Sequence, residues 1–434
     1  MHSSAAELLA GNIEKIVITR PYVAVSGRTT GFDEISVNDI FNEVKSKLFK
    51  LEDLYITSST RGAVDAADGL KELKELYKEA PEIGSPLQGD ILNTIIRGAR
   101  KGKFYLVSMP TGGGKSRLGV GDACNLAFPV YFDNDLLEWV ERPYSEIVLV
   151  ITTELEEEEI QTMIISWVSG VNEEVILNGN YTIEEEERVD KAIEIISHYR
   201  KNFHLERLPD PNINQIEATV RKHVLTNGVQ NVFYDYIFSS PSLLSEYRDL
   251  KIREDVILMM LSTSLKDLAV ELGVYIQSAT QLSGEFENKR GIRNQSFLRG
   301  SKAVADKCDV GMITLWLGDE EKGIITKVVD ATGCAMPNYV TDIYKGRRSR
   351  FRNVKVWSKI DLGTCRRTDI LLTDSFYNPI TDFIITKYEK LIPEELPTAA
   401  PVEEDVVDDS TEFSDSSIQV VKLEPKPKSR FEGF

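Results

Sequence analysis

The stretch Pro110-Thr-Gly-Gly-Gly-Lys-Ser116 combines the backbone freedom and the side chains that a polyphosphate needs. Three successive glycines let the chain bend until its N–H groups point inward at an anion, and a cation and a hydroxyl follow at once. In such a loop Thr111, Gly112, Gly113, Gly114 and Arg117 surround a nucleotide, Lys115 reaches the β- and γ-phosphates, and Ser116 ligates Mg²⁺. Met109 stands where the strict G-x-x-x-x-G-K-[ST] spacing has its first glycine, so the match is partial. The context is nevertheless strand, loop and helix, with an apolar run at 104–109 and small or apolar residues at helical spacing over 117–127. An ordinary glycine turn ahead of a helix would require neither the lysine nor the hydroxyl.

Two acids and an amide end further apolar runs. Val148-Leu-Val-Ile-Thr-Thr-Glu154 is a buried-type strand finishing in a carboxylate. Carboxyl ends of strands in an open α/β sheet gather beside the phosphate loop, so Glu154 is a candidate to orient and deprotonate the attacking water. The acids Glu156, Glu157, Glu158 and Glu159 suit a solvated helix start. Asp235, alone among Val, Phe, Tyr and Ile in Asn231-Val-Phe-Tyr-Asp-Tyr-Ile-Phe238, is costly to bury without a cation or donor and is a candidate for the Mg²⁺ shell. Gln281 closes a third run and could sense a γ-phosphate, although strand-end glutamine is common when taken singly.

Cations cluster twice. Lys289, Arg290, Arg293, Arg299 and Lys302 crowd a glycine-interrupted stretch, 284–302, that also holds Gly300 and Ser301. Such a loop suits a nucleic-acid backbone, and a solvated basic loop is the rival reading. The second run, Tyr344-Lys-Gly-Arg-Arg-Ser-Arg-Phe-Arg352, could bind nucleic acid or supply cations to a neighbour's nucleotide. Lys345 and Arg347 alternate there, so an extended hairpin would bring both to one face.

The elements that must position these groups follow from periodicity. Strand candidates at 104–109, 146–152, 230–238, 274–280 and 310–317 alternate with helical patterns, which predicts an α/β fold with a mostly parallel sheet covered by helices. Stretches at 353–358 and 368–373 alternate like antiparallel strands that extend the sheet at its edge. We expect a small, mainly helical N-terminal unit at 1–65, a linker helix at 66–88, the ATPase domain at 89–390 and a disordered acidic tail at 391–434. Val37, Ile40, Phe41, Val44, Leu48 and Leu51 outline one amphipathic helix, and Leu70, Leu73 and Leu76 a second. The second face needs a partner, either its own domain or a neighbouring subunit.

At 434 residues and 42% hydrophobic composition, the chain can fill one large domain plus appendages. Its net charge of −18 averages over faces that can differ in sign, so it does not exclude nucleic acid. The scattered Cys124, Cys308, Cys334 and Cys365 form no C-x-x-C pair and read as reduced thiols. No apolar run reaches the length of a membrane span, and a cytoplasmic location is expected.

Taken together, the phosphate loop, the Thr-Glu-Leu strand end, the Asp-Tyr-Ile strand, Thr280-Gln-Leu-Ser283, Leu298-Arg-Gly-Ser-Lys302 and Lys345-Gly-Arg347 resemble, in order, the motifs of DnaB-like replicative helicases with a RecA-type core. The resemblance covers roughly residues 68–380. It implies a P-loop ATPase that uses ATP and Mg²⁺, with Lys115 and Ser116 on the nucleotide, Glu154 as base, Asp235 as metal-shell acid and Gln281 as sensor. It also implies a DNA-contacting loop around Arg299, and Lys345 with Arg347 as the finger that completes the next subunit's site. The expected activity is ATP-dependent DNA helicase, in hexamers moving 5′ to 3′ on single-stranded DNA. A RecA/RadA-type filament ATPase and a non-catalytic loader or scaffold are the alternatives. Primase, a loader and a single-strand-binding protein are candidate further partners, and the reduced N-terminal unit points to a phage or mobile-element origin.

Overall fold

The computed structural model describes residues 22–25, 28–31, 66–79, 82–247, 252–282, 298, 302–351 and 353–386. The expected helix over residues 37–51 and the acidic tail lie outside them. In the N-terminal stretch, β1 (Tyr22–Val25) and β2 (Arg28–Gly31) form an antiparallel hairpin. Next comes α1 (Leu70–Glu79), whose Leu70, Leu73 and Leu76 are exposed along one side.

The chain then alternates strands with helices. After α2 (Asp90–Ile96), β3 (Phe104–Met109) leads through the glycine loop into α3 (Lys115–Ala127). A short hairpin of β4 (Val130–Asp133) and β5 (Glu138–Glu141) precedes β6 (Val148–Thr152). The helices α4 (Glu157–Ser169), α5 (Glu173–Asn178) and α6 (Ile183–His198) connect it to β7 (Phe203–Arg207). From there α7 (Ile213–Asn227), β8 (Asn231–Asp235), α8 (Pro241–Glu246), α9 (Glu254–Leu272) and β9 (Tyr275–Gln281) complete the parallel core. The last segment holds α10 (Lys302–Lys307), β10 (Val310–Trp316), α11 (Asp319–Thr332), β11 (Tyr339–Gly346), β12 (Val354–Asp361) and β13 (Arg366–Asp374).

One 9-stranded sheet has the order β13-β12-β11-β10-β3-β9-β8-β6-β7. From β10 through β7 all neighbours are parallel, and β11, β12 and β13 add antiparallel partners on one side. The expected mostly parallel α/β fold with an antiparallel edge is therefore present.

Both faces of the parallel part are buried, which is why its strands read as continuous apolar runs. Alternation along β6 divides the core: Val148 and Val150 face a layer with Leu126 of α3 and Ile164 and Trp167 of α4. Leu149 and Ile151 face the other layer, with Ile216 of α7, Leu261 and Leu265 of α9 and Val304 of α10. Helices on both sides thus hold the sheet rigid, and the carboxyl ends of β3, β9, β8 and β6 emerge side by side.

Candidate active site

The phosphate loop is built by local backbone geometry. Gly112 and Gly114 take left-handed φ values of +73° and +94°, which side chains with a Cβ rarely adopt, and the Gly113 amide donates to the Pro110 carbonyl at 3.0 Å. A Cβ on Gly114 would also collide with the Leu362 side chain, which the β12–β13 turn lays over the loop. Met109, in place of the usual glycine, is fully buried and packs with Leu118, Tyr339 and Ile360, so its side chain anchors the loop to the core.

Lys115 opens α3 and points back across the strand ends. Its ammonium lies 3.2 Å from Asp235 Oδ1 and 3.1 Å from the centre of the Tyr236 ring. Burial pulls its pKa below the ordinary lysine value, against the carboxylates of Asp235 and Glu154, which raise it. Without a nucleotide the cation is held in the site by an acid and an aromatic face.

Glu154 sits just beyond β6. Register pairs Thr152 with Asp235, and both the amide and the hydroxyl of Thr153 donate to the Asp235 carbonyl at 3.0 Å, which ties the two strand ends together. The neighbouring acids are engaged at the helix start: Glu159 accepts from the Glu156 amide at 2.8 Å, and Glu156 from Arg207 at 2.6 Å. Glu154 turns the other way and accepts from the Tyr236 hydroxyl at 2.9 Å. That hydroxyl in turn accepts from Gln281 Nε2 at 3.3 Å.

Lys115, Asp235, Glu154 and Gln281 thus lie in one connected group around Tyr236, a residue that the sequence reading did not single out. Its only local signal is its position directly after the lone acid of β8. Ser116 lines the same cavity beside Lys115, Thr152 and Asp235. Arg117 instead pairs with Glu173 and donates to the Leu362 carbonyl at 3.0 Å.

The donor set fits a nucleotide-borne Mg²⁺. Among the described residues no cluster of three or more His, Cys, Asp or Glu side chains is arranged to cage a metal. One hydroxyl, Ser116, and one acid, Asp235, are what a cation needs when most of its ligands are phosphates and water.

The finger candidates lie elsewhere. Lys345 pairs in register with Gly311 near the start of β10, whose Val310 pairs with Tyr105 near the start of β3. That edge is opposite the one from which the phosphate loop leaves. Lys345 donates to the carbonyls of Ala305 and Asp306 at 2.8 Å, and Arg347 lies 3.4 Å from Asp309. Of the candidate DNA contacts, Lys289, Arg290, Arg293, Arg299, Gly300 and Ser301 lie outside the described residues, and Lys302 opens α10. That segment leaves from the sensor strand, with Leu282 bridged to Leu298.

Comparison with known proteins agrees with this geometry. The DnaB-like helicase C terminal domain family matches residues 87–356. The SPbeta prophage-derived uncharacterized protein YorI of Bacillus subtilis (strain 168) is 39% identical over 349 residues, covering 79% of this chain and 69% of that protein. The replicative DNA helicase DnaB of Buchnera aphidicola subsp. Baizongia pistaciae (strain Bp) is 28% identical over 185 residues, 42% of this chain and 38% of the helicase. In fold, the chain is similar to a DnaB-like replicative helicase solved with its primase interactions, at TM-score 0.54 and 18% identity over 85% of this chain and 75% of that one. It is likewise similar to the solved ATPase domain of a phage helicase, at TM-score 0.53 and 19% identity over 70% of this chain and 99% of that one.

Proposed function

Because the chain belongs to the DnaB-like helicase C-terminal domain family, we propose that it is an ATP-driven hexameric helicase that moves 5′ to 3′ on single-stranded DNA and unwinds duplex. The observation that carries this reading is the convergence of Lys115, Asp235, Glu154 and Gln281 at adjacent strand ends. In that arrangement Lys115 neutralises charge on the transferring phosphoryl group and Glu154 takes the proton of the attacking water. Bound Mg²⁺, held through Ser116 and the Asp235 shell, supplies further neutralisation of the phosphates. Thr111, Gly112, Gly113 and Gly114 wrap the phosphates with backbone N–H groups.

Two observations support assembly. Lys345 and Arg347 stand at the sheet edge away from their own phosphate loop, so as finger residues they would act on an adjacent copy. The Leu70, Leu73 and Leu76 stripe of α1 is exposed in the single chain, as a face covered by a neighbour would be. The domain division at 65, 88 and 390 remains part of this proposal.

The test is strand displacement with ATP on forked duplexes carrying a 5′ or a 3′ tail, together with negative-stain imaging on single-stranded DNA. Unwinding of the 5′-tailed fork and closed rings are expected. Filaments without strand displacement would replace the helicase by a recombination-type ATPase.

A further inference from the structure

Sheet order makes Tyr236 the natural bridge between two groups that sequence separates widely. β8 lies between β6 and β9, so the residue that follows β8 faces the ends of both neighbours. The backbone around it is fixed on each side: Thr153 N–H donates to the Asp235 carbonyl at 3.0 Å and Ile237 N–H to the Ala279 carbonyl at 2.9 Å. The side chain, 9% exposed, has little room to turn. Its ring covers the Lys115 ammonium, and its hydroxyl donates to Glu154 while accepting from Gln281.

A phenol has one proton to give and can accept at the same time. An accepted hydrogen bond polarises the O–H and strengthens the bond it donates. The hold on Glu154 therefore depends on where the Gln281 amide points. When that amide turns to a γ-phosphate, the hydroxyl loses a donor and its grip on Glu154 weakens. Gln281 is also the last residue of β9, directly before the segment that carries the basic loop.

We infer that Tyr236 is a positioning residue through which Gln281 sets the carboxylate of Glu154, so that events at the loop after β9 reach the base through one hydroxyl. The inference rests on the reading of Glu154 as base and Gln281 as sensor. Tyr236 touches neither nucleotide nor water in this role; the ring steadies the cation and the hydroxyl transmits.

The experiment uses the full chain and measures ATP turnover with and without an oligo(dT) strand for wild type, Tyr236→Phe, Gln281→Ala and the double variant, with binding of a fluorescent ATP analogue to each. Tyr236→Phe should cut the DNA stimulation ratio by about tenfold, the worth of one hydrogen bond to a charged group. Its nucleotide affinity should stay near wild type, because the ring remains over Lys115. The double variant should lose no more stimulation than either single one, since both break one path.

Equal loss of basal and stimulated rates in Tyr236→Phe, leaving the ratio unchanged, would mean a merely structural role and overturn the inference, as would additive losses in the double variant. Should Tyr236→Phe fold poorly, Gln281→Glu reads the same bond, because a carboxylate cannot donate to the hydroxyl. Wild-type stimulation in that variant also overturns it. Separately, a Glu154→Gln chain with normal turnover would remove the underlying base assignment. A dead Glu154→Gln and a desensitised Gln281→Ala beside a normal Tyr236→Phe would remove only the role of Tyr236.

Discussion

Arg347 rests against Asp309 of its own chain, its guanidinium 3.4 Å from a carboxylate that is 5% exposed. The same carboxylate accepts from Lys266 at 2.6 Å and from the Phe104 amide at 3.0 Å, so it pins the start of β3, helix α9 and the finger hairpin together. Lys345 meanwhile holds the last carbonyls of α10, where a cation suits the helix dipole. Both finger residues are thereby anchored to the segment that continues from the basic loop.

An Arg347→Ala chain should be inactive alone yet partly active when mixed with Lys115→Ala chains. Some interfaces in mixed rings then combine an intact finger with an intact phosphate loop. ATP turnover across a mixing series checks it. A strictly linear dependence on composition would show that each protomer works with its own residues and would end the assignment in trans.

Asp309→Asn should destabilise the fold by about 3 kcal/mol at neutral pH, since removing one partner of a buried pair leaves Lys266 uncompensated. Burial raises the carboxyl's pKa, but Lys266, the Phe104 amide and Lys103 outweigh it and hold the net value below 3.8. A depressed folded value means that this stability is present above the unfolded value and disappears as pH falls through the folded one. Thermal unfolding of both chains should therefore differ at neutral pH and converge in strong acid. A difference that persists there would assign the loss to packing.

Strands β3, β6, β8, β9 and β10 are legible in the sequence because both of their faces are buried and their apolar runs are unbroken. Strand β11 is not, because it contains Asp342, whose charge is matched by buried Lys355 on β12; a polar pair in the interior leaves no apolar run to read. The phosphate loop announces itself through glycine, lysine and serine at fixed spacing. Tyr236 does not, since its contacts with Glu154 and Gln281, 82 and 45 residues away, exist only through the sheet order. Asp309 is silent for the same reason, reaching Lys266 and Arg347 across the fold.

Lys115→Ala should lower ATP turnover by about 10² or more, because its cation stabilises charge that develops on the transferring group. Glu154→Gln should stop hydrolysis while sparing nucleotide binding, since an amide cannot accept the water's proton. Phosphate release and analogue binding on each purified chain decide between them. Near-normal turnover by Glu154→Gln would pass the base role to another acid.

Asp122→Asn should stabilise the fold on the order of 2 kcal/mol at neutral pH. Asp122 lines the cavity beneath the phosphate loop and accepts from the Gln88 amide at 3.1 Å and from Gln277 at 3.3 Å. Burial pushes its carboxyl up to about 6, against those hydrogen bonds. The folded state therefore binds the proton more tightly, and stability falls as pH rises from the unfolded value of 3.8 through about 6. Unfolding midpoints should separate at neutral pH and coincide below about pH 4, where both states are protonated. A loss of stability on substitution at neutral pH would mean that the ionised carboxylate is held by a cation.

Neutralising Arg293, Arg299 and Lys302 together tests whether an acidic chain grips DNA through the stretch 284–302. Each phosphate contact that a cation makes releases counterions, so each one lost should lower the slope of log affinity against log salt by about 0.7 for a single strand. Binding of a labelled oligonucleotide should weaken and its salt dependence flatten. Basal ATP turnover should persist, because these residues are not among the phosphate-loop, base or metal groups. Its stimulation by DNA should fall, because the stretch follows directly from β9, whose last residue, Gln281, bonds to Tyr236. Titrations at several salt concentrations beside turnover assays measure both. An unchanged slope together with unchanged stimulation would make this loop a solvated surface and move the DNA path to the second basic run, from Lys345 to Arg352.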